Sequence, residues 1–100
     1  MPKLSIVVPH HLTESEALSR IQGLLGDVKQ QYATYFTDLH ESWTGNDGTF
    51  SLKAMGFNVS GSVSVKPSQV EMRADLPLAA TPFRGRIEQV MREETERLLA

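Results

Sequence analysis

An α+β fold is what this sequence predicts: a two-layer sandwich in the order strand, helix, four strands, helix, with a mainly antiparallel sheet and both helices on one face. Three observations carry that expectation. Apolar residues recur at three- and four-residue spacing over residues 14–34 and again over 83–98. Between those stretches, from His40 to Pro77, the apolar period falls to two. Both helical stripes are apolar on one side only, so each needs the dry face of the same sheet to cover it. A chain of 100 residues makes a single domain, 1–100, with one core.

The first strand is expected from Lys3 to Val8, where Leu4, Ile6 and Val8 alternate with Lys3, Ser5 and Val7 and Pro9 removes a ladder donor. Thr13-Glu14-Ser15-Glu16 fits a capping box: the Thr13 hydroxyl accepts from the Glu16 amide and the Glu16 carboxylate reaches back. Ala17, Leu18, Ile21, Leu24, Leu25, Val28, Tyr32 and Tyr35 then form one stripe, predicting a helix over about residues 14–34. Gly23 and Gly26 weaken its middle by about 1 kcal/mol each relative to alanine.

Ser42-Trp43-Thr44 is β-prone, and Asn46-Asp47-Gly48 signals a turn. Phe50, Leu52 and Ala54, then Val59, Gly61, Val63 and Val65, then Val70, Met72, Ala74 and Leu76 give three alternations in succession, a meander with one dry and one wet face. Gly56 marks a reversal or bulge before Phe57. Gly61 leaves a mid-strand gap that a packed helix is expected to cover. Thr81-Pro82 reads as an N-cap with proline in the first turn of the last helix, whose inner stripe is Phe83, Ile87, Val90, Met91 and Leu98. Glu88 with Arg92 and Glu93 with Arg97 make outward i,i+4 pairs. Glu94 interrupts the stripe, either at its edge, the reading we take, or facing a polar partner.

Composition excludes more than it selects. The chain is 40% apolar and 22% charged, which is ordinary for a folded domain. No apolar run approaches the ~20 residues of a membrane helix, and residues 1–9 offer no secretory h-region, so a cytoplasmic protein without a membrane span is expected. The absence of cysteine removes disulfides, zinc–thiolate sites and thiol nucleophiles. A net charge of −2 and a pI near 5.9 disfavour nucleic-acid binding, and Glu88, Glu93, Glu94 and Glu96 balance the arginines of the last helix.

Nothing in the sequence assembles catalysis. His10 and His11 are adjacent in an extended bend and point apart, while His40 lies elsewhere, so no metal is expected. We expect one of the adjacent pair to hydrogen-bond near the helix N-terminus and the other to face water. Ser60-Gly61-Ser62 is not a nucleophile elbow, and no phosphate-cradling glycine motif opens a helix. Neither an enzyme nor a cofactor is expected. What stands out is apolar surface. Leu76, Leu78, Ala79, Ala80, Phe83 and Phe57 cluster where the last helix begins, and Tyr32, Tyr35 and Phe36 crowd the end of the first. Phe57, Leu78 and Phe83 are the candidate apolar contacts, with Arg84 and Arg86 as a polar rim. A homodimer suits a domain this small.

Over nearly its full length the chain resembles the polyhydroxyalkanoic acid system family, small proteins associated with bacterial polyhydroxyalkanoate storage. The resemblance rests on the order and spacing of the opening strand with His11 and Leu12, Thr13-Glu14-Ser15-Glu16-Ala17, Trp43-Thr44-Gly45, Gly56, Gly61, Leu76-Pro77-Leu78, and Phe83-Arg84-Gly85-Arg86-Ile87 through Leu98-Leu99. It implies a non-catalytic accessory or regulatory protein whose partner is a polyhydroxyalkanoate granule or a protein associated with it. It brings no catalytic residues. A small carrier that holds an acyl or other apolar ligand between helices and sheet is the alternative.

Overall fold

The alternation in Lys3–Pro9 builds a strand, β1, with Leu4, Ile6 and Val8 buried and the residues between them turned outward. The computed structural model describes residues 3–31, 34, 36–54 and 56–100, and only the backbone of Leu25, Val28 and Phe36. After β1 come α1 (Glu14–Gln22), α2 (Leu24–Gln31), β2 (Phe36–Thr44), β3 (Asp47–Ala54), β4 (Phe57–Val65), β5 (Gln69–Asp75), a 3-10 segment (Leu78–Phe83) and α3 (Arg84–Leu99). Among the described residues the strands form one antiparallel sheet in the order β1-β5-β4-β3-β2. The expected α+β architecture is therefore present: α3 lies against β1 and α1 against β4, covering the dry face.

Half of the capping box opens α1 as expected, with the Thr13 hydroxyl accepting from the Glu16 amide at 3.1 Å. The Glu16 carboxylate accepts from the Thr13 hydroxyl at 3.1 Å instead of from the Thr13 amide. The single helix expected over 14–34 is instead two. Gly23 ends α1 with its amide on the Arg20 carbonyl, and its own carbonyl accepts from Asp27 in α2. The stripe survives the break because Ala17, Ile21 and Leu24 are all buried. The expected crowding of Tyr32, Tyr35 and Phe36 lies outside the described side chains.

The β2–β3 turn falls one residue earlier than its strongest sequence signal. Gly45 and Asn46 form the loop, with φ +60° at Gly45, whereas Asp47 and Gly48 already belong to β3. Glycine first and a negative-φ residue second is the pattern of a type II′ hairpin, which matches strand twist. Gly56, at φ +83°, reverses the chain between β3 and β4, as its place in the sequence leads one to expect. Near its start β2 carries an irregularity between Thr37 and His40, where Asp38 adopts φ +55°.

The gap at Gly61 is filled differently from expectation. A methyl there would stand 2.1 Å from the Arg73 carbonyl oxygen and 2.6 Å from the ring of Phe50, its cross-strand partner. The cover is thus an aromatic side chain of the same sheet, not a helix. Trp43 repeats the device over its own partner Gly48, where a methyl would meet the indole at 2.8 Å. The main buried cluster joins Ile6, Val8, Ala17, Ile21, Leu24, Val63, Val65, Val70, Met72 and Leu99. Full burial of each larger aliphatic among them contributes about 1.5–3 kcal/mol before ordering entropy is counted.

α3 also starts differently. Thr81 and Pro82 belong to the 3-10 segment, and the Thr81 hydroxyl donates to the Leu78 carbonyl instead of accepting from a helix amide. Ile87, Val90, Met91 and Leu98 are half-buried, Phe83 is 43% exposed, and the most buried residues of α3 are Glu94, Thr95 and Leu99. Glu94 therefore follows the second of its two readings. It accepts from Arg97 Nε at 3.1 Å and Nη2 at 2.9 Å, so Arg97 pairs with Glu94 in place of Glu93. Arg97 also reaches Asp27 on α2 at 3.5 Å. The Glu94 hydrogen bond, aided by Asp27, holds the Arg97 guanidinium above its ordinary range. The Glu88–Arg92 pair is present at 3.8 Å.

Candidate interaction surface

The segment that leads from β5 into α3 presents the candidate site. Leu76 is fully buried, and Pro77 is extended at φ −64°, ψ 153°, which turns the chain across the end of the sheet. The 3-10 segment is held from beneath by Ala80, buried with Leu4, Val59, Ala74 and Leu76. Two backbone bonds tie it together: the Ala80 amide donates to the Pro77 carbonyl and the Arg84 amide to the Thr81 carbonyl. With Ala80 turned inward, Leu78 is turned outward and stands 76% exposed.

Phe57 and Phe83 complete an apolar corner. Their ring centroids are 6.3 Å apart with planes at 44°, within the range of a favourable tilted pair. Phe57 is half-buried, packed with Leu52, Ile87 and Met91 on the same cluster that holds Ala80. Arg84 and Arg86 are exposed beside the corner, and Arg84 Nη2 donates to the Lys3 carbonyl at 3.3 Å. The structure brings Phe57 and Phe83 together, and Leu78 and the two arginines lie on the same stretch of chain.

The histidines do not converge. His10 is 5% exposed, its Nε2 donating to the Lys66 carbonyl at 3.0 Å and its Nδ1 accepting from the Leu12 amide at 3.1 Å. Both ring nitrogens are thereby occupied in fastening the β1–α1 bend to the β4–β5 turn. His11 is exposed, and His40 sits on β2, the edge opposite β1 and four strand spacings away, about 19 Å. Among the described residues no three His, Asp or Glu side chains gather as a metal site.

One feature of the wet face escapes sequence reasoning. Ser42, Thr44, Asp47, Thr49, Ser62 and Ser64 line an open depression of about 300 Å³ across β2, β3 and β4. Its signal is present in the sequence, as Ser and Thr at alternate positions of three strands that pair in register, but only the register brings them side by side. The Ser64 hydroxyl is already committed to Asp47.

Fold and surface together define a small α+β domain with an exposed apolar corner rimmed by arginine. Residues 4–99 match the model of the family described as "Putative polyhydroxyalkanoic acid system protein", and the chain belongs to that family. Among curated proteins none matches the chain. Among solved structures it is similar to the crystal structure of TTHA0849 from Thermus thermophilus, at 13% identity over 98% of this chain and 92% of that one. The TM-score of that pair is 0.39, too loose to bear on function. No helix among the described residues is long and apolar enough to cross a membrane.

Proposed function

We propose that this chain is a non-catalytic, cytoplasmic accessory or regulatory protein of the bacterial polyhydroxyalkanoate storage system, acting by docking its Leu78–Phe83 corner on a granule. The family supports the pathway. The observation that carries the docking mode is Leu78, 76% exposed on a segment whose other side is locked into the core. Because its backbone is already ordered, Leu78 loses only side-chain rotamer freedom on binding. Covering the exposed parts of Leu78 and Phe83 contributes about 2–3 kcal/mol, one to two orders of magnitude in a binding constant.

Co-sedimentation with native granules tests it. The wild-type chain pellets with granules, while Leu78→Asp combined with Phe83→Asp stays in solution. Because Phe83 also packs on Phe57, Leu78→Ser alone serves as the variant that keeps the fold, and it weakens binding by about tenfold. Undiminished pelleting of both variants removes the corner from the mechanism.

A further inference from the structure

We propose that the surface met by this corner is an anionic phospholipid layer, a reading that rests on the docking role above and specifies its chemistry. Between Asp75 and Glu88 the chain carries Arg84 and Arg86 and no carboxylate. The two flanking acids are themselves engaged, Asp75 with Lys3 at 3.9 Å and Glu88 with Arg92 at 3.8 Å. Among the described residues no carboxylate lies within ion-pair distance of Arg84 or Arg86, and both are exposed. A protein of net charge −2 thus turns a locally cationic corner outward where Leu78 and Phe83 stand. These are two of the three exposed large apolar side chains among the described residues, the third being Val7 on β1.

Part of the backbone of the corner is already paired. A polar group carried into hydrocarbon without a partner is costly. Here Pro77 and Pro82 have no amide hydrogen to satisfy, and the carbonyls of Pro77, Leu78 and Thr81 accept from Ala80, the Thr81 hydroxyl and Arg84 respectively. Leu78 and Phe83 can therefore enter the acyl boundary without stranding those three carbonyls. Arg84 and Arg86 stay at headgroup level, their aliphatic stems along the apolar side and their guanidinium groups on phosphate. A protein partner would need matching acids and shape; a lipid layer needs only apolar depth and negative charge, which is what the corner offers to meet.

Sedimentation of the full chain with vesicles of phosphatidylcholine, with and without phosphatidylglycerol, decides the matter. Binding is expected only to vesicles that contain phosphatidylglycerol, and it falls as salt rises. Arg84→Gln with Arg86→Gln lowers the partition coefficient about 25-fold, about fivefold for each arginine removed. Leu78→Ser lowers it about tenfold, with circular dichroism confirming an unchanged fold in each variant. Equal binding to both vesicle types, or to neither, overturns the lipid inference. If native granules still capture the chain through Leu78 while vesicles do not, the docking role stands and its partner is a protein. Loss of both vesicle and granule binding removes the docking role as well.

Discussion

One added methyl group should have opposite effects at two glycines of this chain. At Gly61 an alanine Cβ lies 2.1 Å from the Arg73 carbonyl oxygen, about 1.3 Å inside the 3.4 Å at which ordinary contact begins. The obstacle is backbone, so no side-chain rotation relieves it, and β4 must part from β5. Overpacking of this kind costs about 1–3 kcal/mol, and a backbone clash sits at the upper end. Against a total stability of about 5–15 kcal/mol that is a large fraction. The melting temperature falls by roughly 12–24 °C for a domain of this size. At Gly26, exposed in α2, nothing lies within 4 Å of the same methyl. There alanine lowers the entropy of the unfolded chain and raises helix propensity, a gain of about 0.5–1 kcal/mol. Differential scanning calorimetry of Gly61→Ala and Gly26→Ala beside the parent measures both. Phe50→Leu added to Gly61→Ala should recover little, because the Arg73 carbonyl remains in place. A Gly61→Ala protein melting within about 3 °C of the parent refutes the close β4–β5 approach and the register that produces it.

Two more outcomes follow from contacts described above, beside the granule and vesicle experiments. His10→Phe keeps the ring volume but strands the Leu12 amide and the Lys66 carbonyl, costing about 2 kcal/mol; urea unfolding measures the loss, and granule binding stays unchanged. Gly48→Ala pushes the indole of Trp43, the single tryptophan, from 2.8 Å contact toward water; its fluorescence emission shifts to the red, with a smaller stability loss than at Gly61 because the obstacle is a side chain.

Periodicity makes the layers legible because burial acts on every second or every third-to-fourth residue, whatever the tertiary detail. The same logic finds the dry positions of β1, β4 and β5. It fails where two local signals compete. Thr81-Pro82 is an ordinary helix start, yet the burial of Ala80 pulls that turn into a tighter 3-10 winding. Gly23 reads as a weak helical residue, and the chain changes helix there. Gly61 announces missing volume, but only the register shows that Phe50 supplies it. Glu94 looks like an edge residue because its partner Arg97 lies three positions away, not four. The candidate corner is legible as composition; its outward Leu78 is not, since that depends on which side of the 3-10 segment the core takes.

The edge strand β2 bears on how the sheet meets a neighbouring copy. Its irregularity at Asp38 interrupts the row of free amides and carbonyls, and Glu41, whose carboxylate accepts from the Trp43 indole nitrogen at 3.2 Å, puts charge beside the half-covered aromatic. A neighbour seeking to extend the sheet meets a broken ladder and an anion that would have to shed its water. Two copies brought close together therefore gain little by adding strand to strand on the β2 side.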